Sequence, residues 1–396
     1  MTAASGTRVP QDDDQYRQLD TTSVLDYVRD CSVDFTPEGA EEIGDGNLNL
    51  VFRVRGQDGS LIVKQALPYL RIAGEGWPLT LDRSRIEAEA LLLHGSLAPG
   101  LTPRLLLNDV EMHVLVMEDL AEHSVWRSAL IEARHIRGVA SRVGRYAALT
   151  LLGTSDILMS AADRSALLDK FHNPELCAIT EDLVFSAPYV ESASNIIDDA
   201  AIPIAARLRE DRELRHAAAE LRLRFTTRTE ALIHGDLHTG SVMVADDDVR
   251  VMDPEFAFCG PMGFDIGNVF ANLAFASIRH AVLANTTFVG QVDEDARDFW
   301  HTFRHEVTRL WPQGNPGREP FLLGVLHDSA GYAGLEMIRR MVGLAHVDDI
   351  DSLPLVLRFD ARAAVFAGAR SLILGGPVAS VDELWQRATK TGRSTG

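Results

Sequence analysis

Two aspartates, 17 residues apart, have the residue type and surroundings that best suit chemistry in this sequence. Asp236 lies in the segment HGDLHTGS, between His234 and His238, and Asp253 follows the apolar run VRVM. A carboxylate that is fixed in a turn can orient or deprotonate a hydroxyl group. A carboxylate at the end of a strand suits Mg²⁺, which prefers hard oxygen ligands. Because a predicted hairpin joins the two segments, we expect both aspartates to lie close together.

Two other interpretations of this region stay open. Both aspartates could merely cap strand ends, or they could bind a single metal ion together with His234 and His238. The metal interpretation is the weaker one, because the two histidines fall on one strand and turn, with no helix to align them. Asp265, in GPMGFDIGN, is predicted to cap a helix or to hold the neighbouring loop by hydrogen bonds.

The N-terminal part of the chain contains signals for a nucleotide. The segment GDGNLNLVF has two glycines that would let the backbone approach a phosphate, and its Asn47 could donate an amide N–H. Lys64 lies on a predicted strand, where it could clamp phosphate groups as a point charge. Glu87 and Glu89 on the following helix are candidate partners for Lys64, and the sequence does not choose between them. Taken singly, an ordinary hairpin turn and solvent-facing side chains also explain these residues.

The segment MEDL follows an apolar strand and is a candidate hinge. There the backbone N–H and C=O groups of Glu118, Asp119 and Leu120 could pair with the edge of an adenine. An acidic loop after a strand is the simpler interpretation.

Two adjacent arginines are candidates for binding a substrate. Arg339 and Arg340 lie in GLEMIRRMVGL, whose apolar residues have helical spacing. Adjacent helix residues point about 100° apart, so one arginine is predicted to face the interior or a cleft. Its guanidinium group could grip hydroxyl or phosphate groups there. Trp77, in a loop rich in glycine and proline, could cover a substrate or simply plug the core.

The elements that must position these residues predict an α+β protein of two lobes. Residues 1–20 are polar and predicted to be disordered. Residues 21–120 contain a short helix, the hairpin LVFRVR–LIVKQA, a second helix and two more strands, which predicts a small β-rich lobe that ends at the hinge. Residues 121–396 are mostly helical, and the runs ALIHGD, SVMVAD and VRVMD are predicted to form a small β-ribbon among the helices.

The composition excludes several classes of function. The net charge of −19 argues against a nucleic acid or an anionic membrane as the partner. No apolar run reaches the roughly 18 residues of a membrane-spanning helix, and the N-terminus has no apolar signal core. Three widely spaced cysteines predict neither a disulfide framework nor structural zinc. We therefore expect a cytoplasmic protein.

The order of these signals resembles that of kinase-type phosphoryl transfer. HGDLH stands where protein kinases have H-R-D, and DPE stands where they have D-F-G. Without an activation-loop signature, the chain resembles the small-molecule kinases of this fold, such as the aminoglycoside and choline phosphotransferases. GDGNLNLVF, GEGWPLTLDR, HGDLHTGS with DPEFAF, and the MIRR segment together resemble the S-methyl-5-thioribose kinase family. Ser241 fits that family, whereas most relatives have a metal-binding asparagine at its position.

The resemblance implies a bilobal, protein-kinase-like fold, a homodimer, and a binding site for ATP and Mg²⁺. It implies that Mg²⁺ is held by Asp253 and Glu255. The implied ATP contacts are Asn47, Lys64, Glu118, Asp119, Leu120, Asp253, Pro254 and Glu255.

The implied reaction transfers a phosphoryl group from ATP to the 1-hydroxyl of S-methyl-5-thioribose, a step of methionine salvage. Asp236 would orient or deprotonate that hydroxyl. One or both of Arg339 and Arg340 would bind the sugar, and Trp77 would lie near it.

Three alternative functions stay open. A kinase of another small alcohol, such as choline, homoserine or an aminoglycoside, would have the same parts. A choline site would need an aromatic cage, however, and paired arginines oppose a cationic substrate. An inactive nucleotide-binding protein of this fold would bind ATP without turnover, and a hydrolase would use a metal ion on the two histidines.

Overall fold

The computed structural model describes residues 16–43, 48–57, 59–71 and 77–390. Asn47 and the glycines before it lie outside the described residues. Contacts within the chain define two compact units. The first contains the described residues up to Ala88 together with Leu105–Asp119, and the second contains Glu89–Arg104 and the described residues from Leu120 onward. The domain bounds predicted at residues 20 and 120 stay predictions.

The first unit contains an antiparallel sheet of five strands in the order β1-β2-β3-β5-β4. Helix α1 (Ser23–Asp30) precedes the sheet, and the helix that begins in this unit is α2 (Arg83–Leu97). The strands are β1 (Pro37–Glu42), β2 (Asn49–Gly56), β3 (Gly59–Ala66), β4 (Leu105–Asp109) and β5 (Val114–Glu118). The hairpin and the two later strands were predicted. Strand β1 was not, because its sequence PEGAEE has few residues that favour strands.

Alternating burial along β2 and β3 fixes which side chains the sheet turns inward. Phe52 and Val54 on β2 and Val63 on β3 are fully buried in a core that also takes Val24 and Val28 of α1. Because strand side chains alternate between faces, Lys64 lies on the face opposite Val63. Strands β2 and β5 flank it on either side through Val51 and Leu115, so its backbone position is fixed by two neighbours.

The second unit is mainly helical, as predicted. Its core is built on α9, which is buried along most of its length. None of the helices in the described ranges is long and apolar enough to cross a membrane. The helices of this unit are α3 (Trp126–Ile131), α4 (Val139–Gly153), α5 (Ala161–Lys170), α6 (Pro174–Thr180), α7 (Ile202–Glu210), α8 (Arg212–Thr227), α9 (Met262–Val282), α10 (Thr286–Leu310), α11 (Arg318–Val342), α12 (Asp348–Asp351), α13 (Leu355–Leu374) and α14 (Val381–Ala388).

Short irregular helices supplement them. Helix α6 continues as a π-helical segment (Glu181–Ser186) and a 3-10 turn (Ala187–Tyr189). Two further 3-10 turns, Thr239–Ser241 and Pro254–Phe256, lie in the candidate site.

The predicted β-ribbon is wrong in its pairing. Strands β8 (Val242–Val244) and β9 (Val249–Val251) form the expected hairpin, but their third partner is β6 (Ser124–Val125). Strand β7 (Ala231–Ile233) pairs instead with β10 (Phe258–Gly260). Strands of three residues carry too little pattern to choose their partners locally, so the packing against α9 and α4 decides.

A glycine sets the distance between helices α4 and α10. A Cβ atom on Gly144 would lie 2.3 Å from the backbone oxygen of Phe299. Only a residue without a side chain therefore permits this close approach.

We expect Gly144→Ala to destabilise the protein by about 1–3 kcal/mol, because the helices must separate to admit the methyl group. Gly290→Ala is the matched control, since nothing lies within 4 Å of the added Cβ atom on the exposed face of α10. That change should stabilise the protein by about 0.5–1 kcal/mol through helix propensity. Thermal and urea unfolding measure both, and equal effects of the two substitutions would contradict the packing argument.

Candidate active site

The loop that carries Asp236 is held in place from helix α9. The Asp265 carboxylate accepts the backbone N–H groups of His234 (2.7 Å) and Gly235 (3.0 Å). Gly235 has φ 83°, and a Cβ atom there would lie 2.2 Å from the backbone oxygen of Phe256. Burial raises the pKa of Asp265 to about 6, although the two N–H donors act in the opposite direction. The prediction that Asp265 holds this loop is confirmed.

Hydrogen bonds assign the same neutral form to both histidines of the loop. His234 Nδ1 accepts the N–H of Asp236 (3.3 Å), and its Nε2 lies 2.9 Å from the carbonyl of Met252, to which it must donate. His238 Nδ1 accepts the N–H groups of Gly240 (2.9 Å) and Ser241 (3.1 Å), and its Nε2–H points to Asp236 Oδ2 at 3.2 Å. Burial also lowers the pKa of His238, so the ring is neutral.

This arrangement rules out the metal site proposed for the two histidines. A metal ion binds an unprotonated ring nitrogen, and both Nδ1 atoms already accept backbone N–H groups, while both Nε2 atoms carry protons. Within the described ranges, no three His, Cys, Asp or Glu side chains group as metal ligands. The interpretation that His234, Asp236, His238 and Asp253 share one metal ion is therefore wrong.

Asp236 lies between a histidine and two arginines. Its Oδ1 atom is 3.4 Å from Arg339 Nη2 and 3.9 Å from Arg340 Nη2, while Oδ2 faces the His238 Nε2–H group. Burial favours the protonated acid, but the His238 hydrogen bond and the two guanidinium groups outweigh it. They hold the pKa of Asp236 well below its usual range, so the carboxylate is ionised.

Both arginines face Asp236 because Glu336, which lies on the same helix as the arginines, orients them. The sequence predicted that one of the pair faces inward, and both side chains do. Glu336 accepts the Nε–H groups of Arg339, three residues on, and of Arg340, four residues on (2.7 Å for the latter). Its side chain is 1% exposed, and although burial opposes ionisation, the two arginines lower its pKa. The signal for Glu336 was its spacing in LEMIRR, since residues three and four apart share a helix face.

A third arginine stands beside this cluster and had no sequence signal. Arg127 donates from Nη2 to Asn272 Oδ1 (2.7 Å), and its Nε lies 3.4 Å from Asp349 Oδ2. Asn272 Oδ1 also accepts the hydroxyl of Thr239 in the HGDLHTGS loop (3.3 Å). Arg127 therefore links α3, α9 and α12 to the loop of Asp236.

The Asp253 loop has an unusual backbone conformation. Asp253 lies in the left-handed region (φ 64°, ψ 45°), which costs a non-glycine residue roughly 1–2 kcal/mol. Pro254 begins the 3-10 turn after it, and Glu255 is buried. The amide of Asn173 donates to the carbonyls of Glu255 (3.0 Å) and Ala257 (3.2 Å), which braces the loop from α6. Asn173 is a second residue that sequence reasoning missed.

The structure shows which of Glu87 and Glu89 pairs with Lys64. Its Nζ atom lies 2.8 Å from Glu87 Oε1, and both side chains are buried. Glu89 pairs instead with Lys170 at 2.6 Å. Glu87 and Glu89 are two residues apart on a helix and point to different sides, so only one could face Lys64.

The other residues predicted to contact ATP or the substrate make contacts within their own parts of the chain. Glu118 ends strand β5, and the side chain of Asp119 pairs with Arg53 at 2.7 Å. The Leu120 carbonyl accepts the N–H of His123. Trp77 is half-buried, and its carbonyl accepts the N–H of Leu70 (2.9 Å). The roles predicted for these residues stay predictions.

Three features of the described residues are those of a small-molecule phosphotransferase. They are an ionised aspartate beside paired arginines, a strand lysine paired with a helix glutamate, and an acidic loop after a hairpin. A sequence profile of the phosphotransferase enzyme family (APH) matches residues 39–300. Spectinomycin phosphotransferase, solved with ADP and spectinomycin, shares the fold with a TM-score of 0.50 at 10% identity, over 95% of this chain and 100% of that one.

Closer relatives narrow the assignment. Methylthioribose kinase from Pectobacterium atrosepticum is 42% identical, over 95% of this chain and 99% of the relative. Methylthioribose kinase from Yersinia enterocolitica is 40% identical, over 96% of this chain and 100% of the relative. The chain therefore belongs to the methylthioribose kinase family, within the phosphotransferase enzyme family.

The histidine assignment predicts one tautomer for both rings. Nitrogen-15 NMR of the imidazoles should show His234 and His238 with an unprotonated Nδ1 and a protonated Nε2 at neutral pH. Because the pKa of His238 is lowered on folding, the stability from its neutral ring is present above pH 6.5 and is lost as the pH falls. The exposed His216 serves as the reference ring, and an imidazolium signal from His238 at neutral pH would contradict the assignment.

Proposed function

We propose that this chain transfers the γ-phosphoryl group of ATP to the 1-hydroxyl of S-methyl-5-thioribose. The observation that carries the proposal is the ionised Asp236 carboxylate, fixed beside Arg339 and Arg340. A carboxylate in this position can accept a hydrogen bond from a sugar hydroxyl while the guanidinium groups bind its neighbours. The relatives named methylthioribose kinase support the choice of sugar.

Asp236 is proposed to orient the hydroxyl more than to activate it. A carboxylate with a depressed pKa is a weak base, so it removes little of the proton before the transfer begins. The sugar oxygen forms its bond to the γ-phosphorus as the bond from that phosphorus to the β–γ bridging oxygen breaks. The hydroxyl proton passes to the Asp236 carboxylate and then to solvent, and ADP leaves. Alignment supplies most of the rate, as is usual for phosphoryl transfer.

The two arginines are proposed to choose a neutral, hydroxyl-rich acceptor. Their guanidinium groups are mostly buried, with side chains 12% and 7% exposed, and Glu336 holds both in place. The positive charge of choline or an aminoglycoside would be repelled by the two arginines. A sugar presents hydroxyl oxygens, which accept guanidinium N–H groups without adding charge.

ATP is proposed to bind through the residues of the first unit and the hinge. The Lys64 ammonium group, kept in position by Glu87, would meet phosphate oxygens as a point charge. Asn47 would contact the phosphates, and the backbone of 118–120 would meet the adenine, as the family resemblance implies.

Mg²⁺ is proposed to bind at Asp253 and Glu255, beside Pro254. Two carboxylates on a braced loop suit this ion, because Mg²⁺ that accompanies a nucleotide uses one or two carboxylates and completes its shell with phosphate oxygens and water. Glu255 is 6% exposed, and the strained Asp253 backbone is of the kind found at functional loops. When bound, the ion would spread the negative charge of the phosphates.

Three wider features complete the proposal. We propose that the protein acts in the cytoplasm, as a step of methionine salvage, and that it forms a homodimer. The mass of the protein in solution, by light scattering, tests the dimer.

A coupled assay of ADP release tests the proposed function. The assay offers 5-methylthioribose, ribose, choline, homoserine and kanamycin with MgATP. We expect strong turnover with methylthioribose and little with the others, because only this acceptor is an uncharged sugar with an apolar 5-substituent. Turnover with another acceptor in its place would overturn the choice of substrate, and ATP binding without turnover would support the inactive alternative.

We predict that Asp236→Asn lowers kcat at least about a hundredfold with little change in the affinity for ATP. The amide keeps the shape of the side chain and loses the charge that orients the hydroxyl. Asp246→Asn, an exposed aspartate in the β8–β9 turn, is the control and should leave kcat unchanged. Near-normal turnover by the Asp236 variant would remove Asp236 from its proposed role.

A further inference from the structure

The turn that follows Asp236 depends on an unprotonated nitrogen of His238. His238 Nδ1 accepts the backbone N–H groups of Gly240 (2.9 Å) and Ser241 (3.1 Å). The Ser241 hydroxyl accepts the N–H of His238 (2.9 Å) and lies 3.1 Å from the carbonyl of Asp236, so the same turn ties down the loop of Asp236. A proton on Nδ1 would remove the acceptor and set one N–H group against two others. Protonation of His238 would therefore open this turn and release the loop.

Charged groups face the His238 ring from three elements of the second unit. Burial lowers the pKa of His238, and the guanidinium groups of Arg127 on α3 and Arg340 on α11 act in the same direction. Asp236 in the same loop acts against them, because its carboxylate lies 3.2 Å from the Nε2 atom and accepts its proton in a hydrogen bond. The neutral ring therefore results from a competition between one carboxylate and two guanidinium groups.

The charge of Arg127 is less tightly paired than that of Arg340, which Glu336 holds on its own helix. Arg127 Nε lies 3.4 Å from Asp349 Oδ2, but among the described residues neither this Nε nor either carboxylate oxygen of Asp349 has a hydrogen-bond partner. Burial also raises the pKa of Asp349, which weakens its negative charge. A guanidinium group keeps its own charge in a protein. The positive charge of Arg127 is therefore available to act on His238.

The structure brings Arg127 close to His238 across a glycine. A Cβ atom on Gly240 would lie 3.0 Å from Arg127 Nη1 and 2.8 Å from His238 Cε1. These two atoms are therefore about 6 Å apart at most, a distance over which one charge shifts the pKa of its neighbour. Asn272 fixes Arg127 in this place, because its buried Oδ1 atom accepts the Nη2–H group (2.7 Å) and also the hydroxyl of Thr239 (3.3 Å).

We propose that Arg127 is a positioning residue for phosphoryl transfer, and that its positive charge keeps His238 neutral and the turn after Asp236 closed. Arg127 acts through His238 and not by contact with the substrate. Removing its charge raises the pKa of His238, so the turn opens and activity is lost at a higher pH. The effect on the rate rests on the proposed function, whereas the effect on His238 does not depend on it.

The test follows kcat/KM for methylthioribose from about pH 5 to pH 8, together with the nitrogen-15 NMR titration of His238. Arg127→Gln removes the charge. We expect its loss of activity on acidification to begin at least about half a pH unit higher than in the wild type, and the His238 imidazolium to appear at the same higher pH. Arg127→Lys keeps the charge without the guanidinium group and should leave both curves close to those of the wild type.

Two further variants complete the experiment. Arg137→Gln, at an exposed arginine in the turn after α3, is the matched control and should move neither curve. If Arg127→Gln fails to fold, as judged by circular dichroism, Arg127→Met takes its place. Methionine keeps the apolar packing of the arginine stem and also lacks the charge.

Equal shifts in the Gln and Lys variants would overturn the proposal, because the charge would then not be the cause. An unchanged His238 titration in the variant without the charge would also overturn it. A rate profile that shifts alone would point instead to Asp265, whose pKa burial raises to about 6. Wild-type enzyme that does not phosphorylate methylthioribose would overturn the proposed function, while the NMR titration would still decide whether Arg127 keeps His238 neutral.

Discussion

The site depends on keeping the Asp236 carboxylate ionised in a largely enclosed place. Burial alone would protonate it, and a neutral acid could not hold a hydroxyl in the same way. The neutral His238 ring gives it one N–H donor, and the guanidinium groups of Arg339 and Arg340 give it positive charge. The same groups make it a weak base, which supports the proposal that Asp236 orients the hydroxyl more than it removes the proton.

Residues on the helices around the site keep Asp236 and its partners in position. Asp265 on α9 holds the backbone of the Asp236 loop, and Glu336 on α11 keeps both arginines turned toward it. Arg127 and Asp349 extend the network, so three guanidinium groups face three carboxylates. A buried network of this kind tolerates the loss of one member poorly, because an unpaired buried charge costs about 3–5 kcal/mol. The long, buried helices α9 and α11 supply the rigid frame that such a network needs.

The sequence indicated the candidate site residues better than the contacts that surround them. Asp236, Asp253 and the arginine pair follow from short motifs, and the β2–β3 hairpin follows from alternating apolar residues. The choice of Glu87 over Glu89 depends on how α2 is rotated against the sheet, which no local pattern records. Arg127 and Asn173 act through contacts with residues more than 80 positions away, and the π-helix after α6 has no composition that predicts it. These features arise from tertiary packing, so they required the structure.

The most direct test of the central claim is a double-mutant cycle on the binding of methylthioribose. Calorimetry would give the sugar affinity of the wild-type enzyme, Asp236→Asn, Glu336→Gln and the double variant. If Glu336 acts by aligning the arginines with Asp236, the two losses should be coupled by at least about 1 kcal/mol, because each removes part of the same arrangement. Losses that add to within about 0.3 kcal/mol would contradict the claim that these residues work as one unit.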